Sequence, residues 1–214
     1  MPAMLAFALC GVAVLAGCKS DGKPEVASTF ASSSDSATKS APVGPPDLPT
    51  VSLGVADLPT GWVTSTDKTA ILLGEVGCLK TAERRSATKI SHYVTFSGPG
   101  GAPVFSQSLA YFPPASIAAD YAAAVKALDG CKTISIKAGT VTLVGPLSAT
   151  SSPTIGAQSR LYTLVARSGT HALTEFVLIS RSANVLMLTS YATVKNPSLS
   201  DFLALSGRGA AKLA

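Results

Sequence analysis

Charge and aromatic rings are both scarce in this chain. Of its 214 residues only 14% are charged and 6% aromatic, with one Trp and two His, whereas 47% are hydrophobic. A composition so apolar excludes an intrinsically disordered polymer. The 17 basic residues exceed the 12 acidic ones by a net +5, but they are spread thinly and lack the aromatic interleaving of single-strand binders, so no nucleic-acid partner is expected. No apolar run reaches the roughly 20 residues that span a bilayer as a helix. The motifs GxSxG, HExxH, GxxxxGK[ST] and GxGxxG are all missing. Beyond Ala87 the only acids are Asp120, Asp129, Glu175 and Asp201. With so few nucleophile–base combinations, an enzyme is not expected, and neither is a cofactor or a metal.

What is present begins with an address. Met4 to Ala16 (MLAFALCGVAVLA) has the length of a signal-peptide h-region. It runs into Leu15-Ala16-Gly17-Cys18, which resembles the lipobox of bacterial lipoproteins: small residues admit the peptidase, and the Cys thiol takes the diacylglyceryl group. An ordinary secretory signal is the alternative. No Lys or Arg precedes Met4, although such signals carry a basic n-region, and a start further upstream would account for that. On this reading residues 1–17 are a lipoprotein signal peptide and Cys18 is acylated. Acyl chains contribute about 0.8 kcal/mol per buried methylene, enough for stable anchoring when two or three are present. Residues 18–50, rich in Ser, Thr, Ala and Pro, cannot bury enough surface to offset their ordering entropy and read as a flexible tether. The expected location is the extracytoplasmic face of a cell membrane, held there by lipid.

Two Cys then remain for the exported domain, Cys78 and Cys131. An even pair in an oxidising compartment reads as one disulfide, and closing a loop of roughly 50 residues stabilises a fold by about 4 kcal/mol. A redox pair would want CxxC spacing, and a metal site a recognised Cys/His spacing with His92 or His171; neither occurs.

Residues 51–214 read as the folded domain. Trp62 follows a turn at Asp57 to Gly61 and is an early core anchor. Ala70 to Leu79 is either a short helix or irregular chain. Ser91–Ser97 and Val104–Phe112 alternate like strands around Gly98-Pro99-Gly100-Gly101, which predicts a hairpin with a long tip. Ile117, Tyr121, Ala124, Val125 and Leu128 keep helical spacing between a Ser116 cap and Gly130. Strands follow over Thr133–Val144, broken near Lys137-Ala138-Gly139, then Arg160–Arg167, Ala172–Arg181 and Val185–Val194, the last three joined by short turns at Ser168–Thr170 and Ser182–Asn184 that force antiparallel neighbours. Asn196-Pro197 announces a last helix carrying Leu199, Phe202 and Leu203. The class is α+β: an antiparallel sheet with helices packed on one face, in the order hairpin, helix, meander, helix.

The stretch Phe105 to Cys131 (FSQSLAYFPPASIAADYAAAVKALDGC) and the tail Phe176 to Lys212 resemble the extracellular sensor-domain family of the mycobacterial receptor kinase PknH. The first matches a strand ending in Phe, a Pro-Ser cap and an Ala-rich helix closed by Cys; the second matches a final hairpin and helix. The resemblance implies a sheet-and-helix domain with a ligand cleft and no catalytic residues. That family's second disulfide, between the last two strands, has no counterpart, since Ala172, Thr174 and Ser190 stand there. Actinobacterial lipoproteins with a PsbP/Mog1-like fold share the element order and are the alternative.

Among candidate residues, Glu175 lies in an apolar strand, where it either pairs with Arg160, Arg167 or Arg181 across strands or sits in a ligand cleft. Tyr162 and Tyr111 are candidate cleft residues, with Tyr93 and Phe105, although aromatics on half-buried strands usually serve the core. His92 and His171 read as surface residues. Lys80–Lys89 (KTAERRSATK) reads as a solvated loop or helix face, or as a contact for anionic lipid headgroups or acidic wall polymer. The expectation is a membrane-anchored lipoprotein whose non-catalytic sensor or ligand-binding domain recognises an envelope molecule or partner protein. The alternative is a lipid or glycolipid carrier, which would need an enclosed cavity of about 1,000 Å³ or more.

Overall fold

A computed structural model describes residues 44–66, 91–138 and 140–214. The signal peptide, Cys10, Cys18, most of the tether, Ala70–Leu79, Cys78 and Lys80–Lys89 lie outside the described residues. A one-turn helix α1 (Leu48–Val51) leads to β1 (Val63–Thr64), β2 (Ser91–Ser97) and β3 (Val104–Tyr111). Helix α2 (Ile117–Asp129) follows, then β4 (Ile134–Ala138), β5 (Val141–Gly145), β6 (Leu147–Thr150), β7 (Gln158–Ser168), β8 (His171–Ser182), β9 (Val185–Thr193) and helix α3 (Leu199–Ala211). The α+β class and the order of elements are those expected.

Among the described residues, nine strands join one antiparallel sheet ordered β1-β2-β3-β9-β8-β7-β5-β4, with β6 also paired to β7. The pairing of β3 with β9 closes the early hairpin onto the late meander, with Ser106 opposite Ser190 and Leu109 opposite Met187. The β2–β3 tip is tighter than the long loop expected: Pro99–Gly101 forms a 3₁₀ turn, and the Gly98 N–H donates to the Pro103 carbonyl at 2.8 Å. Consecutive strands β5 and β6 share the edge of β7, and the chain passes so close to β7 at Gly145 that a Cβ there would lie 2.0 Å from the Val165 carbonyl oxygen. Only glycine fits.

Strand β9 is buried at every residue from Val185 to Thr193, so both of its faces need cover. Successive side chains of a strand point to opposite sides, and the two cores follow that parity. On one face Tyr162, Leu164, Val177, Ile179 and Leu188 pack with Ile117, Ala124 and Leu128 of α2 and with Ile134, Ile136 and Leu143. On the other, Leu161, Leu178, Met187 and Tyr191 pack with Phe202 and Leu205 of α3 and with Leu48, Leu53, Leu58 and Trp62. The expectation that the helices share one face is therefore corrected. A sheet whose central strands are apolar on both sides needs a helix on each.

The α3 face is held by specific contacts. Phe202, fully buried, lies 5.8 Å from Phe176, 6.1 Å from Tyr191 and 6.5 Å from Phe105 between ring centroids. The buried Thr189 and Ser206 hydroxyls meet at 2.7 Å. Gly209 lets the helix approach until a Cβ would stand 2.6 Å from Gln107 Nε2. Gln107 in turn accepts the Leu53 N–H at 2.8 Å, which fixes the N-terminal segment to the sheet. Leu48 is 2% exposed, so core packing begins within the stretch read as tether. Lys212 Nζ meets Asp57 Oδ2 at 2.7 Å and Arg208 donates to the Asp57 carbonyl at 2.7 Å, joining that segment to the end of α3. Asp57 is held below its ordinary carboxylate range, first by the Lys212 hydrogen bond and then by the Gly54 N–H.

Both helix starts differ in detail from the sequence reading. The cap of α3 is Ser198, which accepts from the Asp201 N–H at 3.2 Å, two residues beyond Asn196. Ser116 precedes α2 but turns its hydroxyl back to the Pro113 carbonyl at 3.2 Å. A test of the two-face arrangement is Phe202→Ala. Losing this ring from the junction of three others is expected to cost about 3–5 kcal/mol in urea unfolding, and a change below about 1 kcal/mol would contradict that packing.

Candidate functional site

Strand register decides which candidates meet. Tyr162 faces Val177, one position along the same face from Glu175 opposite Leu164, so these two share the α2 side of the sheet. Tyr111 is opposite Val185, on the α3 side, so the sheet separates it from both. The three do not form one cleft.

Glu175 is fully buried, between Leu164 on β7 and Ala192 on β9. Beside it on the same face lie the buried hydroxyls of Thr95, Ser106 and Ser190, the last two 2.7 Å apart. The pairing expected with Arg160, Arg167 or Arg181 is not made. Arg160 meets Asp129 at 3.5 Å, Arg181 donates from Nε to Gln158 Oε1 at 2.8 Å, and Arg167, at the opposite parity, belongs to the other face.

Tyr162 is 1% exposed, and its hydroxyl donates to Asp129 Oδ1 at 3.0 Å, with the Val125 carbonyl at 3.3 Å. It is thus a tie between sheet and helix. Burial, reinforced by the Asp129 carboxylate, pushes its ionisation far above the ordinary phenol range. The same Asp129 closes one end of an open groove of about 470 Å³ between α2 and the β7–β8 hairpin. Ala118, Ala122 and Val125 give it an apolar wall; Tyr121, Lys126, Gln158 and Arg181 give it polar groups. These α2 residues recur at helical spacing along the outer face, away from Ile117, Ala124 and Leu128 in the core. Burial raises the Tyr121 ionisation, an effect opposed by Arg160 and Arg181 and reinforced by Asp129. Sequence reading missed this groove. A partial signal existed, because the short turn after Ser168 brings Gln158 opposite Arg181 and Arg160 opposite Ile179; the position of α2 above them had none.

Two other open grooves are of similar size. One, about 490 Å³, runs between the Pro99–Pro103 tip and Tyr191 to Ser198; the other, about 500 Å³, lies between Ile155-Gly156 and Ala210-Ala211. All three are about half the volume a carrier of acyl chains needs. His92 lies on β2 opposite Leu109, and His171 stands at the β7–β8 turn opposite Ser168. Cys131 is buried directly after the end of α2.

The fold and its grooves define a class, an α+β domain whose described residues form a nine-stranded antiparallel sheet between two helical layers, with shallow open grooves at its margins. In that fold the chain resembles the extracellular domain of PknH from Mycobacterium tuberculosis, with a TM-score of 0.55 and 12% identity over 77% of this chain and 93% of that one. An Rv0999 ortholog from Mycobacterium smegmatis aligns over 74% of this chain and 93% of its own, with 14% identity and a TM-score of 0.39. No protein-family model and no curated protein matches the sequence.

The Tyr162 tie has a pH signature. The unfolded chain releases a tyrosine proton near pH 10.0, whereas the folded chain retains it there. Stability from this group is complete below that pH and declines as pH rises above it. In a phenolate absorbance titration, Tyr162→Phe is expected to leave the amplitude below about pH 11 unchanged. Loss of one tyrosine's amplitude there would contradict the buried hydrogen bond.

Proposed function

We propose that this chain is a lipid-anchored extracytoplasmic protein whose folded domain binds a ligand without chemical turnover. The observation that carries the reading is the α2/β7–β8 groove. It combines an apolar wall with convergent polar groups, the usual make-up of a ligand site. Its tyrosine and cations are donors for recognition, and neither histidine is hydrogen-bonded to a serine, cysteine or acid among the described residues. The PknH neighbour is an extracellular domain by its own description, which supports the reading of residues 1–17 as an export signal. Acylated Cys18 would hold the domain at the membrane through the tether, and a Cys78–Cys131 disulfide would fasten the end of α2 to the segment between β1 and β2.

One experiment tests the covalent part of this reading. Intact-mass measurement of protein extracted from host membranes, alkylated without reductant, is expected to show a chain starting at acylated Cys18 with Cys78 and Cys131 both protected. Cys18→Ser should lack the lipid mass. An unacylated wild type, or alkylation of Cys78 and Cys131, would contradict it.

A further inference from the structure

Resting on that ligand-binding reading, we propose that the α2/β7–β8 groove takes a phosphate group, the charged end of a phosphomonoester-type ligand. Three cations, Lys126, Arg160 and Arg181, stand in or beside the groove against one lining carboxylate, Asp129. Asp129 is engaged by Arg160 at 3.5 Å and by the Tyr162 hydroxyl at 3.0 Å. No carboxylate among the described residues pairs with Lys126 or Arg181. The excess of two positive charges complements a phosphate dianion better than a carboxylate monoanion.

Geometry favours the same group. Arg181 spends its Nε on Gln158 at 2.8 Å, which orients the guanidinium and leaves its terminal nitrogens to present a two-pronged edge. Lys126 adds a point charge from the helix. Tyr121 lines the same space, and its protonated hydroxyl is a neutral donor there. The wall of Ala118, Ala122 and Val125 offers contact for the carbon portion of a ligand, and about 470 Å³ suits a small molecule.

The phosphate could belong to a soluble compound or to a lipid headgroup, and the test separates them. The full chain is titrated with inorganic phosphate while its amide NMR signals are followed. Saturable shifts are expected at Tyr121–Asp129, Gln158 and Arg181. The affinity should fall about tenfold in Lys126→Gln and in Arg181→Gln, the loss of one charge-assisted hydrogen bond each. It should rise severalfold in Asp129→Asn, which removes the only lining carboxylate among the described residues and releases Arg160. Arg181→Lys, which keeps the charge but loses the fork, should fall between wild type and Arg181→Gln. Unchanged melting curves identify variants that remain folded. Sedimentation with phosphatidylglycerol vesicles, but not phosphatidylcholine vesicles, would assign the phosphate to a lipid; phosphate binding without sedimentation assigns it to a soluble compound. Absence of saturable shifts at these amides, or equal affinity in the Lys126→Gln/Arg181→Gln double variant, overturns the proposal. A ligand that co-purifies with the double variant would sink this site and leave the broader ligand-binding reading intact.

Discussion

The structure depends on covering strand β9 from both sides. Every residue from Val185 to Thr193 is buried, and the strand lies between β3 and β8 in the middle of the sheet. Backbone hydrogen bonds satisfy its edges, but its two apolar faces each need a separate layer. Helix α3 and the N-terminal segment close one, with Phe202 at the centre of three other aromatic rings. Helix α2 and the β4–β5 hairpin close the other. Burial of this kind contributes about 25 cal/mol per Å² of apolar surface, so the helix positions are dictated by the sheet rather than by their own amphipathicity.

That requirement also creates the groove. With one face of α2 committed to Tyr162, Leu164 and Val177, its outer flank stands beside the open end of the β7–β8 hairpin, where Arg160, Gln158 and Arg181 leave the core. Asp129 then serves both worlds: it receives the buried Tyr162 hydroxyl from below and Arg160 from the side. The structural tie and the groove share one carboxylate.

Local structure was legible in the sequence wherever a strong local rule applied. Alternation located β2 and β3, the apolar runs located β8 and β9, and helical spacing located α2 nearly to the residue. What could not be read was the assignment of faces. It rests on register between β3 and β9, which are about 80 positions apart, and neither strand's composition specifies that partner. The same gap explains Glu175. Its strand neighbours suggested an arginine partner, yet in register it faces Leu164 and Ala192. Leu48 and Leu53 were hidden for another reason, since Pro- and Ser-rich surroundings masked two isolated core residues. The Ser198 cap lay two residues from a plausible Asn-Pro start, within the ordinary competition among adjacent capping side chains.

Shortage of charge gains a sharper meaning in three dimensions. Of the four acids beyond Ala87, Asp129 serves the helix tie, Asp120 and Asp201 lie in the first turns of α2 and α3, and Glu175 is buried inside the sheet. The central claim, binding without turnover, is tested most directly by native mass spectrometry of the protein purified gently from its own host. The account predicts a bound small molecule that leaves on denaturation with the mass it had when bound, unchanged by prolonged incubation. A bare chain under every gentle condition, or a bound molecule converted into product over time, would contradict it.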